Sequence, residues 1–252
     1  MKLAVSGISK RFGGVTAVNE VSLECSSAEI VGLIGPNGAG KTTLLNMISS
    51  LLRVDSGTIT LDGVPVHNIG PRRMALAGIA RTFQNIRLCP NLTVSQNIMV
   101  AFITAQRHRR HRLGAMTVEQ LMQQIGIAHH AEHKVNELAY GTQRRVEIAR
   151  ALALAPEFLL LDEPTAGMIE EETQELVSAI KDIRDWMGCG VIVIDHDLSF
   201  INNVCKRIYV VDMGRLVASG PPSLLRDDPR VAEIYLGRKA RDRAGATTRL
   251  DA

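Results

Sequence analysis

The chain has 252 residues, of which 46% are hydrophobic and 22% charged, and its 29 Lys+Arg against 26 Asp+Glu leave a net charge of +3. That balance excludes a disordered chain, a collagen-like repeat and a disulfide-stapled scaffold, and so small a charge gives no argument for nucleic acid. Aromatic residues are only 4% of the chain, which disfavours a base-stacking surface, and no apolar run approaches the ~20 residues of a membrane-spanning helix.

The first residues, MKLAVSGISKRFGG, lack the apolar core of a secretion signal. Cysteines at 25, 89, 189 and 205 form no CxxC pair and predict isolated reduced thiols in a cytosolic protein. EIVGLIG (29–35) reads as a buried strand, GPNGAG as a loop and KTTLLNMISSLL (41–52) as a helix. A turn at 55–57 leads into TITLDG (58–63), a strand that closes on an Asp-Gly turn. From about 93 to 140 the strand signal disappears. TVSQNIMVAFITAQ and MTVEQLMQQIGI space their apolar residues at three and four, which predicts helices. Within this stretch RHRRHR (107–112) reads as a solvated helix end or loop, and His129, His130 and His133 lack the further ligands a closed metal site needs. Sheet character returns in EFLLLDEP (157–164), CGVIVIDHD (189–197) and RIYVVDMGRLVASG (207–220). The alternation predicts an α/β fold with a parallel sheet, interrupted by a helical insert. RKARDRAGATTRLDA (238–252) is too polar to pack and is expected to be a solvated or frayed tail.

GPNGAGKT (35–42) fits the GxxxxGK[ST] phosphate loop, with a strand before it and a helix after it. Gly35, Gly38 and Gly40 let the backbone turn its N–H groups toward one point, and the following helix presents its positive end there. Asn37 and Ala39 complete the loop, Lys41 reaches the β and γ phosphates, the Thr42 hydroxyl can ligand Mg²⁺, and Thr43 opens the helix. FLLLDEP (158–164) delivers Asp162 and Glu163 to the C-terminal end of a strand, where open α/β sheets bind ligands. Two adjacent acids repel unless a cation compensates, which places Asp162 on Mg²⁺ and leaves Glu163 to activate the attacking water; the competing reading makes one acid a cap for the next helix.

ELAYGTQRRVEIARALALAPEFLLLDEP (137–164) resembles the signature and Walker B block of ATP-binding cassette (ABC) transporter ATPases, and the similarity runs from Phe12 to about Gly237. The LAYGxQRR form, with ARTFQNIRLCPNLTVSQN (80–97) and DPRVAEIYLG (228–237), is similar to the branched-chain amino acid importer ATPases. The resemblance implies one cassette over 1–237, a P-loop NTPase core (1–92 and 141–220) with a helical subdomain at about 93–140 and additional β-strands. It implies ATP and Mg²⁺ as ligands. Gln84 becomes the Q-loop glutamine that senses the γ-phosphate and Mg²⁺, His196 the switch histidine, and Phe12 an aromatic for adenine, although a core Phe fits the local sequence equally well.

The resemblance also implies partners. Two cassettes, identical or paralogous, pack head to tail, so that the segment around Ala139 and Gly141 meets the nucleotide of the opposite subunit. Ala139 stands at the serine of LSGGQ and Tyr140 at its first glycine. The lost hydroxyl removes a hydrogen bond to a charged group, worth about 1.5–3 kcal/mol. Ile169 replaces the D-loop aspartate. The segment from Asn85 to about Met99 corresponds to the groove that receives a coupling helix of an integral membrane permease. The expected role is a peripheral ATPase subunit at the cytoplasmic face of the inner membrane, energising import of branched-chain or related amino acids or amides, with an extracytoplasmic solute-binding protein acting indirectly. Alternatives are the ATPase of a lipid or lipopolysaccharide exporter, a soluble non-transport ABC ATPase, or a binding-only cassette.

Overall fold

A computed structural model describes residues 1–225 and 228–234. In chain order the elements are β1 (Lys2–Phe12), β2 (Val15–Ser26), β3 (Ile30–Ile34), α1 (Lys41–Ile48), β4 (Ser56–Leu61), β5 (Val64–Pro65), α2 (Pro71–Ala77) and β6 (Ile79–Arg81). There follow α3 (Val94–His108), α4 (Arg110–Leu113), α5 (Val118–Gln124) and α6 (Tyr140–Leu152). The chain then alternates through β7 (Phe158–Asp162), α7 (Glu170–Met187), β8 (Gly190–Ile194), α8 (Leu198–Val204), β9 (Arg207–Asp212), β10 (Arg215–Gly220) and α9 (Pro222–Leu225).

Two sheets result. The larger has the order β10-β9-β3-β8-β7-β6, with every neighbouring pair parallel except β10 with β9. The strands at its centre, IVGLI, FLLLD and GVIVI, are buried along their whole length. Unbroken apolar runs of this kind fit strands covered on both faces, and both faces here are covered. On one side lie α3, α5, α6, α7 and α8, whose apolar faces share a core with Ile30, Leu159, Leu161, Val191 and Val193. On the other, α1 and the smaller antiparallel sheet β2-β1-β4-β5 pack on Val31, Leu33, Leu160, Ile192 and Ile194.

Local chemistry explains where elements stop. The helix expected over 41–52 ends at Ile48, because Ser49 turns its hydroxyl back onto the Leu45 carbonyl at 2.8 Å and Ser50 takes a left-handed φ of 55°. Met213 and Gly214, with φ of 44° and 74°, split the 207–220 stretch into a hairpin. Thr93 and Thr117 start α3 and α5, each closing a reciprocal capping box with the glutamine three residues on.

The reading of RHRRHR as a solvated end is corrected. Arg107, His108 and His111 are exposed, but Arg109 is buried, donating from Nε to the Ala155 carbonyl and from Nη2 to Glu157 Oε1, both at 3.0 Å. Arg112 adds Nε at 3.3 Å from the same carboxylate oxygen and Nη2 bonds to the Pro156 and Met187 carbonyls. Periodicity cannot distinguish a surface arginine from one facing a buried acid 48 residues away. The polar tail expected over 238–252 lies outside the described residues.

Candidate functional site: a phosphate-loop cleft at the strand ends

A cleft of about 360 Å³ opens at the C-terminal ends of β3, β7 and β8, lined by Ala17, Asn37, Gly38, Ala39, Gly40, Lys41, Thr42, Thr43, Gln84, Glu163 and His196. Larger clefts lie elsewhere among the described residues, one of about 650 Å³ beside Arg112 and Trp186, whose lining carries no part of the phosphate loop. The loop from Gly35 to Gly40 wraps over the N-terminus of α1. Gly40 has φ of 100°, and a Cβ there would fall 2.4 Å from the Ala17 carbonyl oxygen, so only glycine permits the close approach of β2. Lys41 is buried at the base, its ammonium donating to the Gly35 and Pro36 carbonyls at 2.6 and 2.9 Å. Thr42 is exposed at the cleft, and the first turn of α1, in the same lining, brings backbone N–H groups that lack intrahelical acceptors, a ready anion site.

Glu163 is the hub. Its φ of 50° is left-handed, a strained conformation for a residue with a Cβ, held by an N–H bond to the Ile194 carbonyl at 2.8 Å. Its carboxylate receives Gln84 Nε2 on one oxygen at 2.9 Å and meets His196 Nε2 on the other at 2.6 Å. Two residues far apart in sequence thus converge on one carboxylate. Behind them the Asp195 carboxylate accepts from Thr165 N and Oγ1 and from the His196 and Asp197 amides, tying the loop after β7 to the loop after β8. Asp197 caps α8, accepting from Ser199 and Phe200.

Asp162 does not line the cleft. It is 1% exposed, and its Oδ2 accepts from Arg81 Nη2 at 2.7 Å. The cation that compensates the adjacent acids is therefore present in the chain itself. Arg81 also donates to Asn46 Oδ1 at 2.6 Å and Ser49 Oγ at 3.1 Å, anchoring β6 to the helix that carries the phosphate loop. Burial pulls this guanidinium below its ordinary value and Asp162 opposes that shift. The sequence reading missed Arg81; its place at the end of a short strand beside Gln84 is the only signal, and nothing local names its partner.

Phe12, Ala139 and Gly141 lie outside the cleft lining. Phe12 sits 47% exposed at the tip of the β1–β2 hairpin, with the Lys10 ammonium 5.7 Å from its ring centre, so it is not a core residue. Ala139 precedes α6 without a side-chain cap. Gly141 is buried, and a Cβ there would come 2.4 Å from Glu172 Oε1. Glu172 in turn accepts from the Ile169 amide at 3.2 Å. Thr142 occupies the position of the final glutamine in LSGGQ, a further departure.

A strand-loop-helix phosphate cradle with a carboxylate, an amide and an imidazole converging at the sheet's C-terminal edge defines a P-loop ATPase cassette. A family model described as ABC transporter matches residues 18–166. The chain is 40% identical to the high-affinity branched-chain amino acid transport ATP-binding protein LivG of Salmonella typhimurium over 93% of this chain and 97% of that protein. It is 36% identical to BraF, of the same description, from Pseudomonas aeruginosa, with the same coverage. It is also 36% identical to the lipopolysaccharide export system ATP-binding protein LptB of Haemophilus influenzae, over 93% of this chain and 97% of that protein. Among solved structures, the ADP conformation of MJ1267, an ATP-binding cassette of an ABC transporter, superposes with a TM-score of 0.83 at 28% identity, covering 94% of this chain and 99% of that one. The dimeric post-hydrolysis state of the cassette MJ0796, bound to ADP and phosphate, superposes at 0.75 with 26% identity, over 87% of this chain and 98% of that one.

The chain belongs to the ATP-binding cassettes of ABC transporters, a family of ATP-hydrolysing transport subunits. Among the described residues no helix is long and apolar enough to cross a membrane.

Proposed function

We propose that this chain is the ATPase subunit of an ABC importer for branched-chain amino acids, seated peripherally on integral membrane subunits at the cytoplasmic face. The observation that carries the reading is the convergence of Gln84 and His196 on Glu163 beside the phosphate loop, in a chain 40% identical to LivG along nearly its whole length. The identity to LptB, 36%, equals that to BraF but lies below the 40% to LivG, which favours the importer over the lipopolysaccharide exporter.

Asn37, Gly38, Gly40 and Thr43 turn backbone N–H groups on the phosphates; Ala39 N–H leaves the Pro36 carbonyl to join them, and Lys41 shifts its ammonium from the Gly35 and Pro36 carbonyls to the β and γ oxygens. Glu163 orients the attacking water and accepts its proton, while His196 and Gln84 fix the carboxylate's two oxygens. Thr42 and Gln84, on the cleft wall, offer hydroxyl and amide oxygens, hard donors that would suit Mg²⁺; Asp162, held by Arg81 outside the cleft lining, would have to turn toward the cleft to join them. Bound there, Mg²⁺ would supply charge compensation at the phosphate oxygens. Phe12, exposed on its hairpin near Ala17, stacks on adenine. Ala139 and Gly141, at the opening of α6, face the nucleotide of a second cassette, which is the same chain or a paralogue. A solute-binding protein delivers the amino acid on the other side of the membrane.

The test is phosphate release by the cassette assembled with its membrane subunits, titrated with solute-loaded binding protein. Stimulation by leucine, isoleucine or valine and not by lipid is expected. Stimulation by lipid or lipopolysaccharide alone contradicts the importer.

A further inference from the structure

The residues that aim Gln84 are not in the cleft. Arg144, on α6, is fully buried, and Glu147, one turn on, is 2% exposed. Arg144 donates from Nη1 to the Phe83 carbonyl and to Glu147 Oε2, the latter at 2.7 Å, and from Nη2 to the Gln84 carbonyl at 2.6 Å and the Tyr140 hydroxyl at 3.1 Å. Glu147 completes the pattern from the other side: its Oε1 accepts from the Phe83 and Arg87 amides at 3.4 and 3.3 Å. The backbone on both sides of Gln84 is thus held by one ion pair carried on the helix that opens at the signature segment. The Phe83 ring is flanked by two guanidiniums, Arg87 at 4.1 Å and Arg81 at 5.3 Å from its centre, which fixes the loop's other face.

Tyr140 extends the connection. Its ring packs on Gly167, where a Cβ would lie 3.0 Å from the ring, and Gly167 is four residues beyond Glu163. The tyrosine that stands in place of a signature glycine therefore touches the loop leaving Glu163 with its ring and the guanidinium holding Gln84 with its hydroxyl. A buried ion pair adds little net stability once its desolvation is counted, so what this one adds is position. Burial raises the Glu147 carboxyl despite the neighbouring guanidinium, and Arg144 Nε is buried without a partner. Both are costs of keeping the fork on the loop.

We propose that Tyr140, Arg144 and Glu147 form a positioning relay that sets Gln84 against Glu163 and joins the signature helix and the Q-loop into one moving body. Contact of α6 with a second nucleotide is then felt at the first through rigid hydrogen bonds rather than through solvent. The relay rests on the reading that Gln84 and Glu163 face the γ-phosphate.

The experiment is a double-mutant cycle on the full chain assembled with its membrane subunits, reading kcat and the KM for ATP, with thermal melts to verify folding. Arg144→Gln is expected to lower kcat about 10- to 150-fold, the factor for a lost hydrogen bond to a charged group, with KM for ATP changed by less than about threefold. Gln84→Ala is expected to fall comparably. The pair Arg144→Gln with Gln84→Ala is expected to lose no more than about twofold beyond the worse single variant, because both remove one unit. Arg144→Lys, which keeps the charge and loses the fork, is expected to stay impaired. Should Arg144→Gln fail to fold, Tyr140→Phe deletes only the hydroxyl of a half-exposed ring; it is expected to lower kcat about 2- to 10-fold and also to be non-additive with Gln84→Ala. Losses that multiply across both cycles, or an Arg144→Gln effect confined to KM, overturn the relay and leave the cleft reading standing. A Gln84→Ala variant that hydrolyses ATP at the normal rate overturns the cleft reading and the relay with it.

Discussion

Glu163 shows what single residues do here: a left-handed backbone and two side-chain partners leave its carboxylate one orientation, toward the phosphate loop. The place of the phosphate loop and of Glu163 at one cleft was legible in the sequence because the pattern is carried by neighbours in the chain; the turn of Asp162 toward Arg81 was not. Arg81, Arg144 and Glu147 were not, because what gives each its role is a partner brought by folding, such as Asp162 or the Phe83 backbone. The cysteines give a test at the same scale. Cys25, Cys189 and Cys205 are buried and Cys89 is exposed. Burial raises the Cys25 and Cys205 thiols far above their ordinary value and pushes Cys189 up to about 11. At about pH 8 one thiol, Cys89, is expected to react promptly with a thiol reagent in the native chain and all four in denaturant. More than one prompt equivalent contradicts the packing. Because these buried acids hold their protons when folded and release them from about pH 8.5 when unfolded, stability is expected to fall as pH rises beyond that.

At the scale of elements, alternation and helical spacing located β3, β7, β8 and β9 and the helices between Thr93 and Tyr140, but not β6 or the β1–β2 hairpin. Leu3, Val5 and Ile8 point inward, yet Gly7 has φ of 58° and the pairing with β2 shifts register between Val5 and Ile8 and twice more beyond, so the period of two is broken. The helical stretch is fastened to the sheet by Glu157, which sits between Arg109 and Arg112 and whose backbone bonds Gly78 on one side and Gly190 on the other. Glu157→Leu leaves the buried Arg109 uncompensated and is expected to cost about 3–5 kcal/mol. In a chain of this size that lowers the melting temperature by roughly 6–20 °C, followed by circular dichroism, with partial recovery in the double variant Arg109→Met, Glu157→Leu. An unchanged melting temperature contradicts the anchor.

For the whole molecule, the parallel sheet matters because it gathers the ends of β3, β7 and β8 at one edge, so that loops separated by more than a hundred residues share one cleft. That convergence was readable only as an order of motifs; which side chains meet, and that Asp162 turns away toward Arg81, required the fold. In the proposed assembly a second cassette would meet the surface bearing Ala139, Tyr140 and Ile169, the last 63% exposed. Underneath the transport reading lies the claim that the loop from Gly35 to Thr42 holds the triphosphate and that Lys41 is its principal cation. Calorimetric titration of the full chain with ATP and Mg²⁺, beside Lys41→Ala, tests it most directly. The account predicts saturable binding of one ATP per chain that weakens about 10- to 150-fold or vanishes in Lys41→Ala, the loss of hydrogen bonds from a charged donor. Equal affinity in the two proteins would contradict it.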